Sequence, residues 1–114
     1  MQLKNQEIIN ILNVFEDIAE KDLPVELAFD LHALHSECMQ VYQTYVTALQ
    51  PQLKEAGVKS IEDLPDKTEV NRLLQKTVEI HKPKIKRAAL IDSGLTFSLA
   101  QIYALAPILE DSDG

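Results

Sequence analysis

The sequence predicts a mainly helical fold. An N-terminal antiparallel hairpin with a long second helix is followed by a short extended segment and a short C-terminal helix. Over the first fifty positions, apolar residues recur at spacings of three and four, which is typical of amphipathic helices. Only three glycines occur in 114 residues, which leaves little material for tight β-turns. The one early interruption of the pattern is a few residues long, so the two helices that it joins are neighbours.

The first helix is predicted over residues 5–20. Ile8, Ile11 and Phe15 share one face at helical spacing. Asn5 belongs to the residue types that favour the N-cap, and we take it as the cap. The break at Leu23 is short and makes the next helix antiparallel, so residues 5–50 are predicted to form a helical hairpin.

The second helix is predicted to start at residue 24 and to run to about residue 50, a length of roughly 40 Å. Its apolar positions form two heptad rows and a third row beside them. The rows are Leu27, Leu34, Val41 and Ala48; Leu31, Cys38 and Tyr45; and Ala28, His35, Tyr42 and Leu49. The first helix is too short to cover so wide a seam, so the C-terminal segments or a second copy of the chain must cover the rest.

We favour the second copy, and expect a homo-oligomer, with a dimer preferred. The predicted self-association surface consists of apolar residues from the three rows. They are Leu27, Leu31, Leu34, Val41, Tyr42, Tyr45 and Leu49.

After the hairpin, residues 51–76 are predicted to form a connector and a short helix that starts at residue 66 or 68. The sequence leaves two alternatives at Pro51: the second helix breaks there, or it continues to Ala56 with Gly57 as its C-terminal stop.

Residues 77–91 are predicted to be extended, because Val78 and Ile80 alternate with polar residues. Pro83 has no N–H for a ladder, so a strand here lies at an edge or breaks at that residue. A lone strand would pair with itself across the break or with another chain, which is a second argument for an oligomer.

The C-terminal helix is predicted over residues 98–107. Ser98 and Gln101 have the spacing of a capping box, and Phe97 and Ile102 have that of a hydrophobic staple. Pro107 ends or kinks the helix. An acidic tail over residues 110–114 follows, which we expect to be loose, and the whole chain of residues 1–114 is expected to be one domain.

Charge is unevenly placed along the chain, whose formal net charge is −7. Residues 1–37 hold two lysines and eight acidic residues, whereas Lys82, Lys84, Lys86 and Arg87 lie within six positions. We interpret this basic segment as a solvated strand face and expect no nucleic-acid binding, because the overall field repels nucleic acid. Another hypothesis is that it meets the acidic third of a second copy, in a contact that salt would weaken.

The sequence predicts no metal site, cofactor or catalytic residue. His32, His35 and Cys38 resemble metal ligands, but helical steps of three turn successive side chains by about sixty degrees, so these fan apart. Adjacent carboxylates such as Glu16 and Asp17 do not face one another, and no nucleotide-binding or nucleophile motif occurs. We therefore expect a protein that is not an enzyme.

The expected location is the cytoplasm, with no membrane partner. A single cysteine needs no oxidising compartment, and the first residues form neither a signal peptide nor a membrane span.

Three stretches of the chain resemble a family of small phage and prophage proteins of unknown function from low-GC Gram-positive bacteria. They are LKNQEIINILNVFEDIAEKDLPVELAFDLHAL, LLQKTVEIHKPKIK and LTFSLAQIYALAPILED. The resemblance implies a helical hairpin with its turn at Leu23 and Pro24, an extended segment that ends at Ile85, and a short closing helix. His32 and His35 depart from the family, in which more basic or amide residues are expected. Because the family's genes tend to lie among tail and lysis genes, the resemblance also implies a role around virion assembly.

Two functions are therefore predicted. The first is a non-enzymatic structural or interaction protein of phage type, which self-associates and acts in virion assembly or as an accessory adaptor. Its partner would be a phage structural protein or a host protein, in the host cytoplasm or on the virion. The alternative is an acidic inhibitor that imitates nucleic-acid phosphates and occupies the basic groove of a host protein.

Overall fold

A computed structural model describes residues 1–111 and confirms the mainly helical class and the N-terminal hairpin. The elements, in chain order, are β1 (Gln2–Lys4), α1 (Asn5–Ile18), α2 (Val25–Ala56), α3 (Thr68–Gln75), β2 (Thr77–Glu79), β3 (Ile85–Lys86), α4 (Arg87–Ile91), α5 (Leu99–Leu105) and β4 (Leu109–Glu110). Short 3-10 turns lie in the connector, at Ile61–Asp63, and directly after α5, at Ala106–Ile108.

The start of α1 differs from the prediction, because Asn5 is the first helical residue and Lys4 is the cap. The Lys4 N–H donates to the Glu7 carboxylate over 2.8 Å. Asn5 is instead buried, and its Nδ2 donates to the Leu73 carbonyl oxygen over 2.8 Å. The amide therefore joins the beginning of α1 to the end of α3.

The long helix α2 continues through Pro51, which decides between the two alternatives that the sequence left open. Pro51 is exposed, so water can reach the carbonyl that lacks its helical partner. Leu49 and Leu53 on either side are buried and hold the last turns against the connector and α3. The helix ends at Gly57, whose φ of 70° is the left-handed conformation that glycine adopts without steric cost.

The extended segment pairs with β1 and β4, so the prediction that it pairs with itself or with another chain is wrong and no longer argues for an oligomer. β2 pairs antiparallel with β1, with Leu3 opposite Val78. β3 pairs in parallel with β4, with Ile85 opposite Leu109. β1 and β4, at residues 2–4 and 109–110, are too short to show the alternating pattern of a strand. Their pairings could therefore not be predicted from the sequence.

Two further predictions for the C-terminal half need correction. Residues 87–91, predicted to be extended, form the helical turn α4, in keeping with the high helix propensity of Ala88 and Ala89. The predicted acidic tail starts too early, because Glu110 belongs to β4 and the Asp111 carboxylate lies 3.1 Å from the Arg87 guanidinium. The remainder of the tail, 112–114, lies outside the described residues.

The capping box that begins α5 is confirmed. The Gln101 N–H donates to Ser98 Oγ over 3.1 Å, and the Ser98 N–H donates to Gln101 Oε1 over 2.8 Å. The helix proper ends at Leu105, two residues before the predicted end, and tightens into the 3-10 turn that contains Pro107. The Gln101 amide also donates to the Asp17 carboxylate over 3.2 Å, which places α5 beside α1.

Most of the apolar seam of α2 is covered by the chain itself, so that part does not need the second copy that we favoured. The buried members of the predicted interface are Leu27, Leu31, Leu34, Tyr45 and Leu49, each at most 7% exposed. The first three pack with α1 and with residues of the C-terminal half, such as Ile80 and Ile108. The last two pack with the connector and α3. The C-terminal segments provide the cover, which was the alternative that we did not favour.

Glu37 on α2 holds the segment that follows β2. Its carboxylate accepts hydrogen bonds from the backbone N–H groups of His81 and Lys82, with shortest distances of 2.8 and 2.9 Å. Partial burial by itself raises the pKa of this carboxyl, but the two N–H donors and the positive charges of both residues outweigh it and lower the pKa below its ordinary value.

We expect this lowered pKa to make stability depend on pH. The ionised carboxylate stabilises the folded state above its ordinary pKa, and that contribution is lost as the pH falls through the folded-state pKa. Urea unfolding at about pH 6 and about pH 3 should therefore show a smaller decrease for Glu37→Gln than for the wild type. Because the group is partly exposed, the difference should stay below about 1 kcal/mol. Equal decreases in both proteins would contradict the role given to the charge.

Candidate functional site

An open groove of about 790 Å³ lies along the hairpin between α1 and α2. Every described residue that lines it falls between Ile9 and Tyr42, so the C-terminal half, as far as residue 111, packs elsewhere and leaves this side of the hairpin uncovered. Phe15 of α1 and Leu31 of α2 are buried core residues that also border the groove. The groove is therefore the outer side of the contact between the two helices.

The walls of the groove are mostly apolar and half-buried. On the α1 side they include Ile9 and Leu12, and on the α2 side Ala28, Met39 and Tyr42. From residue 28 to residue 42 the α2 wall rises by fourteen residue steps, or about 21 Å at the helical rise. The groove is thus a long apolar strip that remains accessible to another molecule.

Two histidines that resemble metal ligands in sequence, His32 and His35, lie on the α2 wall of the groove. His32 and His35 are exposed lining residues, and the His35 ring lies 5.8 Å from the Phe15 ring, centroid to centroid. Cys38 faces the core instead, where burial raises the pKa of its thiol to about 11. Within residues 1–111, no group of three or more histidine, cysteine, aspartate or glutamate side chains could hold a metal ion.

The end of the groove at the hairpin turn is acidic. Glu16 and Asp22 line it together with a single lysine, Lys21. Other exposed carboxylates close to this end in sequence are Asp17, Glu20, Glu26 and Asp30. Among the described residues, none of these carboxylates forms an ion pair. An occupant with positive charge near this end would therefore be favoured.

The sequence pattern predicted only part of this surface. Of the predicted interface residues, Leu31 and Tyr42 border the groove, while Val41 is half-buried against the main core. Two groove residues were not predicted. Leu12 lies on α1, and Met39 lies on α2 outside the three rows. The informative signal was the third row of α2, because Ala28, His35 and Tyr42 from that row all line the groove.

A second uncovered apolar surface lies on α5, on the helix face opposite the core. Leu99 is 69% exposed, Tyr103 70% and Ile102 39%, and their spacings of three and four place them on one face. We call this surface the α5 ridge. Val25 and Phe29, on the first turns of α2, are each 71% exposed as well. Contiguous exposed apolar side chains of this kind commonly mark contact sites for other proteins.

No known protein family, curated protein or solved structure matches this chain. The resemblance to phage proteins therefore stays a prediction. No helix within residues 1–111 combines the length and the apolar character that crossing a membrane would require.

Proposed function

We propose that the chain is a non-enzymatic interaction protein and that the groove between α1 and α2 is its docking site. The observation that carries the proposal is the uncovered apolar strip, whose half-buried walls include Leu12 and Met39. Burial of apolar area is the main source of affinity in protein association, and the half-exposed part of these walls supplies it.

The shape of the groove favours a helical segment as its occupant. A wall of about 21 Å matches roughly four turns of helix, whereas a small ligand needs an enclosed pocket that buries most of its surface. Amphipathic helices bind such grooves through side chains spaced three and four residues apart. The acidic turn at one end would select an occupant with basic residues nearby.

Site-specific photo-crosslinking tests this function in cells of the organism whose genome encodes the chain. A benzophenone amino acid replaces Met39, which lines the groove, or Gln40, its exposed neighbour on α2, which does not. We expect irradiation of the Met39 form to give a discrete crosslinked species and the Gln40 form to give none. No product from the Met39 form, or the same product from both positions, would contradict a docking role for the groove.

A role in virion assembly is the narrower form of this proposal and is supported by the family resemblance alone. Gene neighbourhood and mass spectrometry of purified virions test it. Absence of the chain from virions and from any cluster of phage genes would remove this role, while the groove would still be available to another partner.

The acidic hairpin turn supports phosphate mimicry as the second candidate function. Asp17, Glu20, Asp22, Glu26 and Asp30 are exposed over a short stretch of chain, as such an inhibitor requires. Pulldown from host lysate with and without an excess of duplex DNA tests it. DNA should release a partner held by phosphate mimicry, and a partner that DNA leaves bound would exclude this mechanism.

A further inference from the structure

The α5 ridge has the dimensions and the chemistry of an occupant for the groove. α5 has seven residues and is about 10 Å long, so it fits within the 21 Å wall. Its apolar side chains, Leu99, Ile102 and Tyr103, have the spacing of helix-in-groove anchors. Residues 93–109 contain no charged side chain, so α5 would bring no charge of its own into the groove.

The charges around the two surfaces are complementary. β4 follows α5 after one 3-10 turn and pairs with β3, which brings the basic segment to the C-terminal end of the ridge. Lys82, Lys84 and Lys86 of that segment are exposed, and none of them forms an ion pair within residues 1–111. The groove ends at the acidic hairpin turn, so the docked ridge of another copy can present opposite charge to it.

We propose that the groove of one copy receives the α5 ridge of a second copy, with the basic segment of the second copy beside the acidic turn of the first. This inference rests on the groove being a docking site and names its occupant. The two contact surfaces are different, so the contact is heterologous, and a pair of bound copies leaves one groove free on one copy and one ridge free on the other. Repetition of the contact builds a ring or a filament, depending on whether the rotation closes.

Two classes of variant separate the surfaces. The groove variants are Met39→Glu and, as a second position on the same wall, Ala28→Glu. The ridge variant is Leu99→Glu/Tyr103→Glu, at two highly exposed positions that tolerate charge in the folded monomer. Gln40→Glu is the matched control, because it adds the same charge beside Met39 but outside the groove. Circular dichroism and thermal unfolding of each variant verify the fold.

Sedimentation velocity of the purified proteins over a hundredfold range of concentration measures how strongly the copies associate. We expect the wild type and Gln40→Glu to associate with rising concentration, and the groove and ridge variants to weaken association at least tenfold. The decisive sample mixes a folded groove variant with the ridge variant. One intact groove and one intact ridge remain in that mixture, so a 1:1 dimer should form and should stop there.

Salt provides a second readout of the same contact. Raising the salt concentration from about 50 mM to about 500 mM should weaken wild-type association, and Lys84→Glu/Lys86→Glu should reduce that dependence. Unchanged association over this range would contradict the charge pairing.

The experiments distinguish two questions: whether the groove is a docking site, and whether its occupant is a second copy of the chain. A wild type that stays monomeric at every concentration, or a mixture that stays monomeric although both variants are folded, overturns the second copy as occupant. If the Met39 crosslink then contains a different protein, the groove is still a docking site. If the crosslink is absent too, both proposals are wrong.

Discussion

Replacing Leu34 with alanine should lower the free energy of unfolding by about 3 kcal/mol, and the loss should not depend on protein concentration. Leu34 is 1% exposed and packs in the main core with residues of α1 and the C-terminal half. Removing three of its side-chain carbons loses transfer free energy and leaves a cavity, since the helices around it relax only in part.

The effect of protein concentration on this loss distinguishes a residue in the core of one chain from a residue at an interface between copies. If Leu34 lay at an interface between copies, the size of the mutational loss would change with protein concentration. Urea unfolding of the wild type and the variant at two concentrations a hundredfold apart measures this loss. Gln40→Ala is the control on the same helix, because this exposed side chain lies outside the groove and should cost less than about 0.5 kcal/mol. A loss at Leu34 that grows with protein concentration would show that a partner chain covers the seam.

Replacing Asn5 with alanine should cost between about 1 and 2 kcal/mol. The Asn5 side chain is buried, and its amide donates to the Leu73 carbonyl oxygen, which also accepts the Lys76 N–H over 3.1 Å. The carbonyl therefore keeps one partner in the variant, which holds the cost below that of a fully orphaned buried group.

Thermal and urea unfolding measure this loss, with Gln6→Ala as the control from the next position. Within the described part of the chain, the Gln6 amide bonds only to the exposed side chain of Asn10, so its removal should change stability by less than about 0.5 kcal/mol. Equal effects at the two positions would contradict the assigned role of Asn5 in joining α1 to α3.

The long helices could be predicted from sequence because each repeats its apolar period over several turns. α2 keeps its rows from Leu27 to Leu49, and Gly57 supplies the left-handed residue that ends it. The Ser98 cap of α5 could be predicted for a similar reason, because all its partners lie within three positions.

The extended character of β2 and β3 was predicted, but the strand partners and α4 could not be, because they depend on distant parts of the chain. Leu3 pairs with Val78, and neither the two-residue strands nor the five residues of α4 are long enough to show a period. The pairing of β3 with β4 likewise depends on where α5 and its 3-10 turn place Leu109.

The groove was only partly predictable for the same physical reason. Periodicity showed that α2 has three apolar rows, but it could not show which of them the C-terminal half covers. That choice depends on contacts such as those of Ile80 and Ile108 with α1 and α2, which no local pattern encodes. Most of the first two rows became core together with Leu49 of the third row, whereas Ala28, His35 and Tyr42 of the third row became a wall of the groove.

Methyl NMR of the wild-type chain over a hundredfold range of concentration tests most directly which surfaces meet another molecule. We predict that the Met39 and Leu99 methyl signals shift together as the protein is concentrated, whereas the Leu34 signals stay in place. Shifts at Leu34 with none at Met39 and Leu99 would show that the copies meet through the seam of α2 and that the groove is not where this protein makes contact.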